Sequence, residues 1–349
     1  MPLRKRHLIA AVVIGAALSA GAAPVRADEF EMSYVAGSRD DGGGFLGGTE
    51  MRVLTAHTGR LFAGNGYWED RPGSEWTQGA QIVVLDAASA RWRLDHAFAE
   101  RMPGGRWRDL AVSALKEAVF ATDGSGRPLP APVRILIAST WDLTGATQVH
   151  ARDDASGAWI AATLAQDPPS PNFLPQIRGF GAHRDRVTGA DLVFAGQDPR
   201  GIFSGTYDPA AAGRIHWSAA PELDLAQVAA EGISGRNGYL RVTSFAEANG
   251  RLYAAVGQHI YERIDGAAPG WRLVYTNPRP GHSETGLRGL TAVPGAGGEA
   301  LLAAVEGSAA RIIRIDPATG GEATEIDLVD FLGRSWGSAS ATPSPRTTT

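Results

Sequence analysis

No cysteine occurs among the 349 residues. That excludes disulfides, thiolate nucleophiles, Cys-ligated zinc and iron–sulfur clusters. Stability must come from apolar burial, and a chain of this length can build a sizeable core. Sustained helical periodicity is also missing; one helical turn or two is expected over residues 223–230. A basic excess is missing too, since the formal charge is −4, which argues against nucleic acid as a partner. The sequence contains no Gly-x-Ser-x-Gly nucleophile elbow. Gly124-Ser125-Gly126 and Gly235-Arg236-Asn237-Gly238 read as turns, because no helix follows to receive a phosphate at its N-terminus. Of the eight histidines, His96, His150, His216, His259 and His282 show no metal-ligand spacing. Neither a metal nor a cofactor is expected.

The N-terminus sets the expected compartment. Arg4, Lys5, Arg6 and His7 precede an apolar stretch from Leu8 to Ala23, and Val25-Arg26-Ala27 offers small residues for cleavage. This is the pattern of a signal peptide over residues 1–27, too short for a full membrane span. Cleavage there removes four basic residues and no acid, taking the formal charge from −4 to −8. The mature protein is expected to be periplasmic or extracellular, monomeric and free of the membrane. Ser338 to Thr349 form a low-complexity Ser/Thr/Pro tail, expected to be disordered.

Between these ends one pattern recurs. Arg52-Val53-Leu54, Gly59-Arg60-Leu61-Phe62-Ala63-Gly64, Ile82-Val83-Val84-Leu85-Asp86 and Trp92-Arg93-Leu94 form four beats. The same beats return as Arg241-Val242-Thr243, Gly250-Arg251-Leu252-Tyr253-Ala254-Ala255, Ile260 to Asp265 and Trp271-Arg272-Leu273. Further copies begin at Arg108, Arg178 and Arg288, and only the last lacks its tryptophan. Each beat is a short β-branched or aromatic run bounded by turn residues. Four strands per unit make a meander that cannot bury both faces alone, and radial stacking does so. The expected fold is therefore all-β: a β-propeller of four-stranded antiparallel blades over residues 28–337, with five repeats visible and five or six blades. Met32-Ser33-Tyr34-Val35 is a candidate strand for closing the ring. Each repeat Trp is expected to wedge between blades, and the Asp before it to hold a turn.

These beats resemble the kelch repeat. Tyr207-Asp208 through Trp217 is similar to a kelch third and fourth strand, and the Asp-to-Trp spacing is the same in Asp86/Trp92, Asp153/Trp159 and Asp265/Trp271. Where kelch units carry a double glycine, this chain reads Ala63-Gly64, Ala195-Gly196, Ala254-Ala255 and Ala303-Ala304. The resemblance implies a propeller and no single function, because such propellers serve as enzymes and as binding modules.

In a propeller the loops entering the inner strands meet those joining the second and third strands at one channel mouth. Arg52, Arg108, Arg178, Arg241 and Arg288 are expected there, with Trp68, Trp141, Asp142, Asp198, Gln258 and Glu306 from the second set of loops. Five guanidiniums around one channel are an anion site, since Arg stays charged and grips carboxylates with two parallel bonds. The same arginines also suit a structural role, pairing with Asp142, Asp198 and Glu306 between blades. Trp68 and Trp141 suit stacking on a sugar ring. His57 and His183 occupy matching places and are expected in a structural slot at the opposite end. The favoured function is an exported binding module for an anionic small molecule, a glycan or a protein loop. The alternative is a periplasmic enzyme on an acidic sugar, of the epimerase or mutarotase kind implied by the kelch resemblance.

Overall fold

The computed structural model describes residues 32–67, 79–168, 175–233, 240–279, 286–305 and 310–332. The signal-peptide region, Trp68, Glu306 and the 338–349 tail lie outside the described residues. From Val35 onward the chain forms one compact unit. A small hairpin, β1 (Ser38–Arg39) with β2 (Phe45–Leu46), leads into five successive antiparallel meanders.

Blade 1 comprises β3 (Glu50–His57), β4 (Arg60–Gly66), β5 (Gln81–Leu85) and β6 (Arg93–Ala97). Blade 2 comprises β7 (Asp109–Thr122), β8 (Pro128–Asp142), β9 (Ala146–Arg152) and β10 (Trp159–Gln166). Blade 3 comprises β11 (Gln176–Arg184), β12 (Asp191–Asp198), β13 (Gly201–Tyr207) and β14 (Ile215–Trp217), with β15 (Leu223–Asp224) also on β13. The expected helical turn follows as α1 (Leu225–Ala230), whose first turn the Asp224 carboxylate caps by accepting from the Ala226 N–H. Blade 4 comprises β16 (Val242–Ala248), β17 (Arg251–Val256), β18 (His259–Ile264) and β19 (Gly270–Thr276). Blade 5 comprises β20 (Leu287–Gly295), β21 (Gly298–Val305), β22 (Arg311–Ile315) and β23 (Glu322–Asp327), followed by α2 (Leu328–Leu332).

The inner strands pack in series, β3 on β7, β7 on β11, β11 on β16 and β16 on β20. The chain is a β-propeller of four-stranded antiparallel blades. Second strands are sandwiched between neighbouring blades, so β4 and β12 read as apolar runs with both faces buried, whereas β10 and β23 are largely exposed. Tight turns set the register. Thr58-Gly59 and Asn249-Gly250 hold positive φ at both central residues (48° and 78°, 51° and 66°), the hairpin turn that matches strand twist.

The repeat tryptophans share one ladder position. Trp159 pairs with Arg152, Trp217 with Gly205 and Trp271 with Arg263. Each leans on the preceding blade: Trp159 Nε1 donates to Asp95 at 2.9 Å, and Trp271 meets Phe194 edge-on at 6.2 Å. In blade 5, Glu322 takes this position opposite Ile315 and accepts from the blade 4 Tyr275 hydroxyl at 2.5 Å. The turn role expected of the preceding Asp holds for Asp153 and Asp208, which accept from Ala155 and Ala210 N–H groups. Asp265 instead reaches into blade 3, and Asp86 pairs with Arg93.

The expected closing strand differs from the structure. Residues 32–35 form no strand, and the segment after them turns back over its own blade. There Gln81 accepts from the Gly47 N–H and donates to the Phe45 carbonyl, both at 2.8 Å, while Asn65 donates to the Gly47 carbonyl. The two end faces of the blade series are unevenly covered among the described residues: Ala63 and Val83, which pair in line with Leu54 on the blade 1 face, are fully buried. The inner-strand residue that packs on the preceding blade is Phe180 or Leu290, 8 % and 5 % exposed, but its counterpart Leu54 in blade 1 is 59 % exposed. On the opposite face of blade 5, Ala304 is exposed, whereas its counterparts Ser139 and Ala255 are fully buried.

Candidate functional site

A β-bulge near the start of each inner strand decides which side chains share a level at the axis. An extra residue breaks the ladder and re-aims its side chain. The break falls at Arg52, between the pairs of Met51 and Val53. It falls at Ser113 in blade 2, Arg178 in blade 3 and Thr243 in blade 4. In blade 5 Leu287 pairs Val305 as Met51 pairs Asn65, but the shift falls later, between the pairs of Arg288 and Thr291, and Arg288 is itself paired with Ala304. Counted from those pairs, the matching places hold the bulge residues Arg52, Ser113, Arg178 and Thr243 and the ladder residue Arg288. The two hydroxyls confirm their equivalence, since Ser113 Oγ donates to the Ser139 carbonyl and Thr243 Oγ1 to the matching Ala255 carbonyl. Thr243 also donates to the Leu287 carbonyl of the next blade at 2.5 Å.

Two of the five arginines expected at the mouth do not join this level. Arg241 corresponds to Glu50, because its carbonyl accepts from Gly257 where Glu50 pairs Gly66. Arg108 lies upstream of Ser113, and its guanidinium binds Asp142 at 2.7 Å and Glu100 at 2.7 Å. That pairing holds Arg108 firmly protonated, Asp142 being the chief cause. The remaining three converge. Burial lowers the proton affinity of the Arg52 guanidinium, Glu50 raises it, and Arg178 and Arg288 both lower it by repulsion. Arg52 thus lies within electrostatic reach of arginines on blades 3 and 5.

Two of the acidic residues expected at the mouth, Asp198 and Asp142, are structural. Asp198 is fully buried, accepts from Arg178 Nε at 2.5 Å and receives the Val242 N–H of blade 4. Asp142, 1 % exposed, is used up by Arg108 and by the N–H and hydroxyl of Thr144. Neither carboxylate has an oxygen poised for proton transfer to a ligand. Trp141 is buried at 7 % exposure, so the expected stacking surface is absent there; it stands near the end of β8, where the strand is buried on both faces. Gln258 is half-buried and accepts from Asn277 at 2.8 Å.

Sequence reading missed Ser113 and Thr243, which carry no side chain resembling the arginines they align with. It also passed over Asp109, although this residue adjoins Arg108. Asp109 is 6 % exposed. Burial pushes its carboxyl up to about 6, opposed by the Thr140 hydroxyl and reinforced by Asp142. A raised carboxyl stabilises the fold at low pH and costs stability as pH rises from about 4 to about 6. Asp109→Asn keeps the acceptor for Thr140 and removes that cost. It should raise urea stability at pH 7 by on the order of 2 kcal/mol and leave stability near pH 4 unchanged. A loss of stability at pH 7 would contradict this.

At the opposite end, His57 and His183 fill the expected structural slots. His57 Nδ1 and Nε2 face Glu117 at 2.7 Å and Asp154 at 2.8 Å, both in blade 2. His183 Nε2 faces Asp265 of blade 4 at 3.0 Å. Among the described residues no group of three or more His, Asp or Glu gathers as a metal site, and no helix is long and apolar enough to cross a membrane.

No protein-family model matches the chain, and no curated protein sequence matches it. Distant structural likenesses exist. A protein of unknown function from Bacteroides thetaiotaomicron aligns with a TM-score of 0.40 and 11 % identity, over 79 % of this chain and 58 % of the other. A candidate 6-phosphogluconolactonase from Bacteroides fragilis aligns at 0.39 and 12 %, over 83 % of this chain and 75 % of the other. A bifunctional GH43-CE protein of Bacteroides eggerthii aligns at 0.36 and 11 %, over 82 % of this chain and 34 % of the other. The chain thus spans less than two thirds of the first of these proteins, and the propeller architecture rests on its own strand pairing.

Proposed function

We propose that this chain is an exported propeller that binds an anionic ligand at the axis, through Arg52, Arg178 and Arg288. The observation that supports the reading most is the strand register, in which Arg52, Arg178 and Arg288 hold matching places in the inner strands of blades 1, 3 and 5 of a protein of net negative charge. Guanidiniums stay charged and grip oxyanions with parallel hydrogen bonds, although Arg178 also binds Asp198 at 2.5 Å and Arg52 also binds Glu50 at 3.3 Å. A binding role is favoured over catalysis because Asp142 and Asp198, two of the acids expected at the mouth, are committed to structural pairs.

Thermal-shift measurements on the mature protein test the reading with sugar acids, small carboxylates, phosphate and neutral sugars at fixed ionic strength. An acid is expected to raise Tm by several degrees, about 1 kcal/mol of stabilisation or more, with no response to neutral sugars. The variants to compare are Arg52→Gln and Arg288→Gln. Arg178 is the wrong target, because its removal strands the buried Asp198 carboxylate. If no anion stabilises the protein, or the shift survives in both variants, the ring is not a binding site.

A further inference from the structure

At two blade junctions a guanidinium of the later blade covers an aromatic ring of the earlier one: Arg152 lies over Phe62 at 5.4 Å and Arg263 over Phe194 at 5.2 Å. The junction of blades 4 and 5 differs. Ile315 pairs with Glu322 as Arg152 pairs with Trp159 and Arg263 with Trp271, so an apolar side chain takes the arginine's place. Two residues further on, Pro317 stands where Asp154 and Asp265 stand in their blades. Ala248 takes the place of His57, since it pairs with Arg251 as His57 pairs with Arg60. All three members of the interblade ionic cluster are thus replaced at this junction. A cleft of about 430 Å³ lies there, lined by Arg251, Tyr253, Glu262 and Arg272 of blade 4 and by Gly297 and Pro317 of blade 5. Past Asn249, Gly297 and Ala318 it continues into a second lobe of about 470 Å³.

Register puts Tyr253, Glu262 and Arg272 side by side across β17, β18 and β19, with Arg251 on the same face as Tyr253. Glu262 is 2 % exposed and accepts from Arg251 Nη1 and, at 2.6 Å, from Arg272 Nη2. One carboxylate therefore holds two guanidiniums, which leaves the row with one positive charge in excess. Both arginine side chains reach solvent, at 41 % and 62 % exposure. Each keeps N–H groups that Glu262 does not use. Tyr253 lines the same cleft while only 2 % exposed, and its hydroxyl has no hydrogen-bond partner among the described residues. The acids of the second lobe are spent elsewhere. Glu299 accepts from the Asn249 N–H, Asp316 from Ala318 and Thr319, and Glu322 from Tyr275, Arg279 and Arg311.

We propose that this cleft is a second ligand site, separate from the axis, which takes a sugar-sized molecule bearing one carboxylate or phosphate group. Arg251 and Arg272 hold the oxyanion through their spare N–H groups. The Tyr253 hydroxyl bonds to the body of the ligand beside it, which gives a buried polar group its missing partner. The cleft is of the size usual for small-molecule sites. Its blade 5 wall is open at Gly297, where an added Cβ would meet no atom within 4 Å.

Calorimetric titration of the mature protein at fixed ionic strength tests this, with glucuronate, glucose 6-phosphate and glucose as probes. At least one of the two anions is expected to bind, which tells carboxylate from phosphate, and glucose is expected not to. Arg272→Gln leaves Glu262 paired with Arg251 and should weaken binding by about tenfold or more. Tyr253→Phe keeps the ring, deletes the hydroxyl and should weaken binding by about threefold or more. Gly297→Leu fills the cleft without touching a charge and should abolish binding. Arg52→Gln alters the axis alone and should leave cleft binding intact. If Tyr253→Phe or Gly297→Leu does not fold, Arg272→Gln decides, since its side chain is largely exposed. Binding that survives Arg272→Gln and Gly297→Leu but is lost in Arg52→Gln belongs to the axis; this inference then falls and the axial reading stands. If neither anion binds the wild type, or glucose binds as tightly, the cleft is no anion site and the inference is overturned.

Discussion

Arg263→Ala is expected to cost about 3–5 kcal/mol of urea stability, the range for removing one partner from a buried ionic group. Arg263 is 2 % exposed and ties three carboxylates across the interface of blades 3 and 4. It binds Glu222 at 2.9 Å, Asp185 at 2.8 Å and Asp265 at 2.8 Å. Its guanidinium also lies over the Phe194 ring at 5.2 Å. Alanine would strand those charges and open a void above the ring. Arg152 holds the same register position between blades 1 and 2, where it binds Asp95 and Asp154 and lies over Phe62. The control is Arg314→Ala, which breaks a solvent-exposed pair with Glu325 and should leave the urea midpoint nearly unchanged. Equal urea midpoints for Arg263→Ala and the wild type would show that the cluster is incidental to the fold.

Acid is expected to unfold the protein steeply below about pH 4. Burial opposes ionisation of Asp185, but the N–H groups of Thr188, Gly266 and Val187 and the Arg263 guanidinium outweigh it and hold the carboxyl well below the usual range. Burial likewise opposes ionisation of Asp265 and Glu322. Arg186 and His183 overcome it for the first, and Tyr275, Arg279 and Arg311 for the second. A carboxyl depressed in the fold contributes stability that is fully present above its unfolded pKa of about 4. That contribution is lost as pH falls through the folded value, on the order of 1–2 kcal/mol for each well-buried group. Asp109 runs the other way between about pH 6 and 4. The expected profile is a slight rise in stability from pH 7 toward pH 5, then a collapse. A urea midpoint that stays level down to pH 3 at fixed ionic strength would rule out this account.

The two clusters also explain why matching residues could be recognised without coordinates. His57 and His183 each follow an alanine at the same offset from the repeat arginine, Arg52 or Arg178, and each meets a carboxylate of the next blade. The tryptophans were legible for the same reason. The strand period and turn length fix where Trp159, Trp217 and Trp271 fall on the ladder, and those quantities are local. The mouth was harder to read. Arg108 and Arg241 look like Arg52 because each precedes an apolar run. The bulge shifts the ladder by one residue, so similarity of nearby letters misplaces the side chain. Trp141 misled differently: its predicted loop is the end of β8, a strand covered on both faces.

By itself the sequence determined the strand content, the order of four strands per blade, the interblade tryptophan position and the short helix after blade 3. These follow from β-branched and aromatic runs, turn residues and spacing, all of which act within a few residues along the chain. Only the tertiary structure decided which arginines hold matching places in the inner strands and which carboxylates are spent on structural pairs. Those outcomes depend on bulge register and on what packs against each face, and both are set by strands far apart in the chain.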